Sequence, residues 1–219
     1  MRKLTGAVFQ SLDGVMQAPG GPEEDPTGGF PLGGWMFGCG DEAVGPVIGQ
    51  LFGAPFDLLL GRRTYDIFAA YWPYNQDNPI GATFQSANKY VVTSSDQPLT
   101  WENSHRLGSI DEVASLKAGE GPDLIVQGSS TLYPQLLSAG LVDRLTLMTF
   151  PVLLGEGKRL FGDGTAGGAM KMVDHQVTPG GTVIATYEPA GSVKVGSFAG
   201  AEPSNAEMVR REKIREGGW

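Results

Sequence analysis

Leu58-Leu59-Leu60-Gly61-Arg62-Arg63-Thr64-Tyr65 is the stretch on which the reading of this chain turns. Asp57-Leu58-Leu59-Leu60 has the pattern of a short buried strand, and a helix is predicted from about Thr64 to Ala70. Gly61 lets the backbone turn tightly between them. Free N–H groups and the positive end of the helix then face whatever lies at the strand's carboxyl edge. Thr64 adds a hydroxyl, and Arg62 and Arg63 offer forked donors that suit a phosphate. An ordinary strand–helix turn with two solvated arginines has the same pattern.

A second stretch repeats the device. Leu124-Ile125-Val126 is a buried strand run that leads through Gln127 and Gly128 to Ser129-Ser130-Thr131-Leu132, with a helix predicted over 130–138 and Gly140 at its end. Its hydroxyls serve equally as helix caps. Two such units in one domain suit a dinucleotide, whose phosphates are separated and can be held from adjacent strand ends. Tyr90-Val91-Val92-Thr93 is a third strand, and Thr93-Ser94-Ser95 would add hydroxyls beside the other two turns. Neither of these strand–helix turns carries a Gly-x-Gly-x-x-Gly fingerprint, and no Gly-Lys-Ser/Thr phosphate loop occurs.

Outward from these units, Lys3 to Phe9 reads as a first strand closed by Ser11-Leu12-Asp13-Gly14. Residues 17–40 are rich in Gly and Pro, carry Glu23-Glu24-Asp25, and are long enough to suggest a functional lid. A helix is expected from Asp41 through Val44, Val47, Ile48 and Leu51, and a short one over Asp111–Lys117. Arg144–Val152, Met170–Val177 and Thr182–Tyr187 read as strands separated by Gly-rich turns. Strand–helix alternation giving way to strands implies an α/β fold whose mixed sheet ends in antiparallel strands. The expected division is a domain over 1–188, then 189–219 as a Gly/Ser-rich linker and a charged helix opened by the capping pattern Ser204-Asn205-Ala206-Glu207.

Composition narrows the function. The 219 residues are 41% hydrophobic and 18% charged, and 16 basic against 24 acidic residues give a formal charge of −8. That balance disfavours nucleic acid and anionic membranes as partners. No run has membrane-spanning length and no signal-peptide pattern opens the chain. Cys39 is the single cysteine, so no internal disulfide is expected and a cytoplasmic setting is. His105 and His175 lie far apart, so no metal site is expected.

Five segments carry a family resemblance in order: the first strand with Ser11-Leu12-Asp13-Gly14; Leu60-Gly61-Arg62-Arg63-Thr64-Tyr65; Lys89-Tyr90-Val91-Val92-Thr93-Ser94; Ile125-Val126-Gln127-Gly128 with Leu136 to Asp143; and Pro151-Val152-Leu153-Leu154-Gly155-Glu156-Gly157 with Leu160-Phe161. Together they resemble the dihydrofolate reductase superfamily, and within it the reductase domain of bifunctional riboflavin-biosynthesis enzymes and its stand-alone relatives. The resemblance implies a three-layer dihydrofolate reductase-like fold with a central mixed sheet flanked by helices. It also implies NADPH as hydride donor, a small heterocyclic substrate, and a homodimer. In the riboflavin-pathway step, 5-amino-6-(5-phosphoribosylamino)uracil has its ribosyl group reduced to ribityl. Dihydrofolate or pteridine reduction is the second enzyme reading, and a non-catalytic NADP(H)-binding protein the third.

Carried over by motif, Gly61, Arg62, Arg63 and Thr64 would bind cofactor phosphates. Ser94 and Ser95, following Thr93, would lie near the adenosine 2′-phosphate, and Gly128, Ser129, Ser130, Thr131 and Leu132 would cradle the pyrophosphate. The family's usual Gly-Gly at the last turn, often joined by a cis peptide, is Gly128-Ser129 here; a cis bond to a non-proline residue costs about 3 kcal/mol. At the substrate end the candidates for acid chemistry are Asp13, which is equally a turn former, and Asp41 beside Glu42, where Asp41 is equally a helix cap. Trp35, Phe37, Tyr71 and Trp72 could wall a flat ring or serve packing. Lys158 and Arg159 could meet a substrate phosphate or form a solvated turn.

Overall fold

The computed structural model describes residues 1–162, 164–198 and 202–218. In chain order its elements are β1 (Leu4–Ser11), α1 (Trp35–Gly38), α2 (Val44–Leu51), β2 (Phe56–Gly61), α3 (Arg62–Tyr71), α4 (Pro79–Ser86), β3 (Lys89–Val92), β4 (Ser104–Leu107), α5 (Ile110–Ala118), β5 (Asp123–Gln127), α6 (Leu132–Ser138), β6 (Arg144–Phe150), β7 (Met170–Val177), β8 (Val183–Pro189) and α7 (Asn205–Arg215). The strands form one sheet in the order β4-β3-β2-β5-β1-β6-β8-β7. The first six are mutually parallel, and β8 and β7 close the sheet antiparallel. All six parallel strands therefore release their carboxyl ends along one edge.

Alternation along the strands builds a core on each face. β5 turns Leu124 and Val126 toward α5 and α6, where Val113, Leu132, Tyr133 and Leu136 are buried with Leu4, Val8 and Leu145. It turns Ile125 to the opposite face, where Leu58 and Leu60 of β2 pack against Tyr65 of α3 and Phe84 of α4. On that same face the lid and α2 bring Phe30, Trp35 and Val44 onto Phe150, Met148 and Ile184. The result is the three-layer, dihydrofolate reductase-like α/β architecture.

At the opposite edge of the sheet a buried ion pair joins Arg2 to Asp57. Asp57 Oδ1 also accepts bonds from Asn88 N (3.1 Å) and Nδ2 (2.9 Å), so its charge is fully used. A pair so enclosed fixes register more than it adds stability, because both ions lose their water.

Several boundaries differ from the sequence expectation. α3 begins at Arg62 rather than Thr64, with Gly61 as its extended cap. α6 begins at Leu132, leaving Ser130 and Thr131 in the turn. α2 begins at Val44, so Asp41 stands before the helix and does not cap it. Pro46 is tolerated there because its missing N–H falls in the first turn. The lid contains a helical turn, α1, and another short turn over Thr27–Gly29. β4 carries no apolar alternation because it is an exposed edge, and it escaped the pattern reading. So did α4, although Asn78-Pro79 is a capping signal: Asn78 Oδ1 accepts from Ile80 N at 2.9 Å. At the carboxyl end Ser204 caps α7 by accepting from Glu207 N at 3.3 Å, and no residue of α7 is buried.

Candidate active site

β2 and β5 lie side by side and parallel, yet α3 leaves β2 toward one face and α6 leaves β5 toward the other. Such divergence opens a crevice at the carboxyl ends, the place where open α/β sheets hold ligands. The two glycine turns meet there. A Cβ on Gly61 would overlap the Ser129 hydroxyl, and one on Gly128 would lie 2.8 Å from Thr64 Oγ1. Glycine is thus required at both positions by the neighbouring turn. Gly128 and Ser129 have φ of 60° and 70°, and the peptide between them is trans. Left-handed backbone costs a serine roughly 1 kcal/mol or more, so this turn is held under strain by its surroundings.

The groups left for a ligand are now defined. The N–H groups of Ser129, Ser130 and Thr131 meet no acceptor among the described residues, whereas Leu132 N is used by Ser129 O at 3.0 Å. Leu132 itself is a core residue, so its part in this turn is to anchor it. Arg63 is exposed and forms no ion pair or hydrogen bond among the described residues. Arg62 is spoken for: its Nε is 2.9 and 3.0 Å from the Asp66 carboxylate oxygens, and its Nη1 donates to Gln97 O at 2.9 Å. At the end of β3, Thr93 Oγ1 accepts from Ser95 N (3.0 Å) and Ser95 Oγ from Gln97 N (3.3 Å), while the exposed Ser94 hydroxyl stays free. The structure therefore brings the turns 61–64, 93–95 and 128–131 together on neighbouring strands β2, β3 and β5.

Beyond β5 the edge continues over β1 and β6, roofed by the lid. Asp13 accepts from Ser11 Oγ at 2.6 Å, from Leu154 N at 3.1 Å and from Gly155 N at 2.8 Å. These bonds, the Ser11 hydroxyl foremost, hold its pKa at about 2. Asp41 accepts from the Thr178 hydroxyl in the β7–β8 turn, which also holds its carboxyl below the usual range. Both aspartates are ionised, and neither shares a contact with the other. Trp35 donates Nε1 to Gln17 O at 2.8 Å and packs edge-on to Phe150, while Trp72 packs on Phe68 and Phe84. Both are thus packing residues; Phe37 and Tyr71 are exposed.

Lys158 and Arg159 are both paired, Lys158 half-buried and Arg159 exposed. Lys158 Nζ pairs with Asp25 and donates to Thr27 Oγ1 at 2.7 Å, and its backbone N donates to Gln17 Oε1 at 3.0 Å. Gln17 Nε2 closes the clasp on Asp25 O and Thr27 O, each at 2.8 Å. Arg159 donates to Asp13 O at 3.0 Å and Gly155 O at 2.6 Å. Beside this clasp lies a cleft of about 280 Å³ lined by Gln17, Thr27, Gly28, Phe30, Glu156, Gly157 and Lys158.

Sequence reading missed one pair of groups. Gln127 Nε2 and Gln10 Oε1 are buried without a hydrogen-bond partner. An unpaired buried amide costs of order 1–3 kcal/mol, so such groups call for an explanation. The signal was present: Gln127 closes an otherwise apolar strand run.

Among known proteins the sequence is 32% identical over 138 residues to the uncharacterized protein YyaP of Bacillus subtilis (strain 168), covering 59% of this chain and 72% of that protein. A protein named for riboflavin biosynthesis from Shewanella sp. PV-4 superposes with a TM-score of 0.61 at 22% identity, over 86% of this chain and 99% of the other. A pyrimidine reductase-like protein from Corynebacterium diphtheriae gives 0.56 at 16% identity, over 86% and 92%. Dihydrofolate reductase from Enterococcus faecalis, solved with NADP(H), gives 0.50 at 19% identity, over 85% and 96%. These structures share the fold. Residues 2–184 match the RibD C-terminal domain, and the chain belongs to that family, a reductase of the riboflavin-pathway type.

Proposed function

We propose that the protein is an NADPH-dependent oxidoreductase that reduces a small, flat heterocyclic substrate at a C=O or C=N carbon, as in reduction of the ribosyl group of an aminopyrimidine to ribityl. The observation that carries this reading is the convergence of three strand-end turns that leave the N–H groups of Ser129, Ser130 and Thr131, the Ser94 hydroxyl and the Arg63 guanidinium without a partner among the described residues. Their chemistry fits a dinucleotide. Ser129–Thr131 offer consecutive N–H donors for a pyrophosphate, and Thr64 and Arg63 stand at the start of α3 for a phosphate. Arg63 and Ser94 are the groups available to a 2′-phosphate, and Arg62 supports them by tying α3 to the loop at Gln97. Leu132, Thr93 and Ser95 hold the turns in shape.

Bound there, NADPH supplies the hydride. At the substrate end Asp13 and Asp41 remain the acid candidates, and both also hold the local backbone in place. Asp13 fixes the loop at Leu154-Gly155, and Asp41 ties the entrance of α2 to the β7–β8 turn. Both carboxyls are held below the usual range in the free chain, so either would have to take up a proton from solvent before passing it to the substrate. The resemblance also supports a homodimer in the cytoplasm. β7, exposed along its whole length and unpaired on its outer edge among the described residues, suits such an assembly.

Fluorescence titration with NADPH tests the reading directly. Binding in the micromolar range is expected, and none at physiological concentration would refute it. Oxidation of NADPH in the presence of the aminopyrimidine or of dihydrofolate then separates the two enzyme readings. Sedimentation velocity checks the dimer.

A further inference from the structure

We infer that Arg106, on the edge strand β4, is a further residue that reads the 2′-phosphate of the dinucleotide and so sets a preference for NADPH over NADH. This rests on the cofactor reading above and adds to it a group outside every segment that carries the family resemblance. In the register of β3 and β4, Arg106 lies opposite Val91. Val91 is buried with Leu58, Leu60 and Tyr65, so Arg106 shares the sheet face that α3 covers. Thr93 N donates to Leu107 O at 2.9 Å, which holds the turn after β3 against the carboxyl end of β4.

The side chain leans back toward α3. Arg106 Nη2 donates to Gln97 O at 2.8 Å, the same oxygen that takes Arg62 Nη1 at 2.9 Å. Two guanidiniums thus converge on one neutral carbonyl, at the end of the turn that carries Ser94 and Ser95. Their charges are not equally met. Arg62 is paired with Asp66, whereas Arg106 is exposed and forms no ion pair among the described residues, not even with Asp96 beside Gln97. Its Nε and Nη1 take no part in any hydrogen bond among those residues. Like charges held so close repel each other, and a dianion seated between them relieves that repulsion. The open edge of a guanidinium also matches a phosphate in shape as well as charge.

Position in the sheet selects which phosphate this is. The order β4-β3-β2-β5 puts β4 three strand spacings from β5, about 14 Å. A pyrophosphate held by the turn at 128–131 is therefore out of reach of Arg106. A phosphate carried on the adenosine ribose, beyond Arg63 and the free Ser94 hydroxyl, is not.

The test uses the full chain and measures binding alone. NADPH and NADH are titrated by fluorescence; adenosine 2′,5′-bisphosphate and adenosine 5′-monophosphate, which differ only in the 2′-phosphate, are titrated by calorimetry. The unaltered chain is expected to favour the 2′-phosphorylated member of each pair. No binding of any of the four overturns the cofactor reading and this inference with it, whereas binding without that preference overturns this inference and leaves a dinucleotide site standing. Arg106→Gln is expected to weaken NADPH and the bisphosphate about tenfold and the other two less than about twofold, with an unchanged urea midpoint. Arg106→Glu, which places an anion there, is expected to weaken the 2′-phosphorylated pair about a hundredfold. Equal loss on all four ligands overturns the inference and makes Arg106 a support for the turn at Gln97. No loss on any of them overturns it too, and leaves the 2′-phosphate to Arg63 and Ser94.

Discussion

Gly61→Ala offers the sharpest check on the cofactor crevice, because its effect is dictated by a single neighbour. Gly61 has φ −78° and ψ 158°, which alanine adopts freely. In isolation the change would stabilise by about 0.4–1 kcal/mol through the unfolded chain. The added Cβ, however, falls on the Ser129 side chain, whose Cβ stands 3.0 Å away; rotating the hydroxyl aside does not move that carbon. Overpacking of this kind costs about 1–3 kcal/mol. The single variant should therefore lose about 1–2 kcal/mol. Ser129→Gly removes the obstacle and also relieves the φ of 70°, a gain roughly balanced by the added freedom of glycine when unfolded. Gly61→Ala placed in that background should be neutral to slightly stabilising. Urea denaturation of the four proteins should then give a coupling energy of about 2 kcal/mol, well above the ~0.5 kcal/mol scatter of independent sites. NADPH affinity should fall about tenfold in Gly61→Ala and recover in the double variant. Additive stabilities would mean that the two turns do not touch. Coupled stabilities with unchanged NADPH affinity would mean that they touch and do not bind the cofactor.

Three further outcomes follow from the same structure. Arg63→Ala should weaken NADPH by about 1.5–3 kcal/mol while leaving NADH nearly unaffected, whereas Arg62→Ala should act mainly by loosening α3; titration with both nucleotides distinguishes them, and equal effects of Arg63→Ala on the two would refute its assignment to the 2′-phosphate. Burial pushes the Lys89 ammonium down to about 8, with Glu102 opposing the shift. Between that value and 10.5 the unfolded chain binds more protons, so this group makes stability rise with pH over that window; Lys89→Met should abolish the rise in urea midpoints. Truncation after Ser192 removes α7, which buries nothing, yet keeps the bonds of Ala169 to Ala190 and Gly191. The melting temperature should stay within about 2 °C, and a larger loss would show that α7 packs on a partner.

The sequence by itself determined the parallel half of the sheet and its two glycine turns. Leu58–Leu60 and Leu124–Val126 are apolar on both faces because helices cover both, and a glycine between such a run and a helical pattern marks the turn at the strand end. Those are local signals, readable within ten residues. β4 and α4 were not legible, since an exposed edge has no apolar period and α4 is held mainly by its Phe84, which packs with Phe56, Leu58 and Tyr65 from elsewhere in the chain. Only the tertiary structure decided which donors remain for a ligand. Arg62 and Arg63 are adjacent and chemically identical in sequence, yet Gln97, thirty-five residues away, claims one and leaves the other. Lys158 is claimed by Asp25 and Arg159 by Asp13 across more than a hundred residues. Charge availability is a property of long-range pairing, and no local pattern carries it.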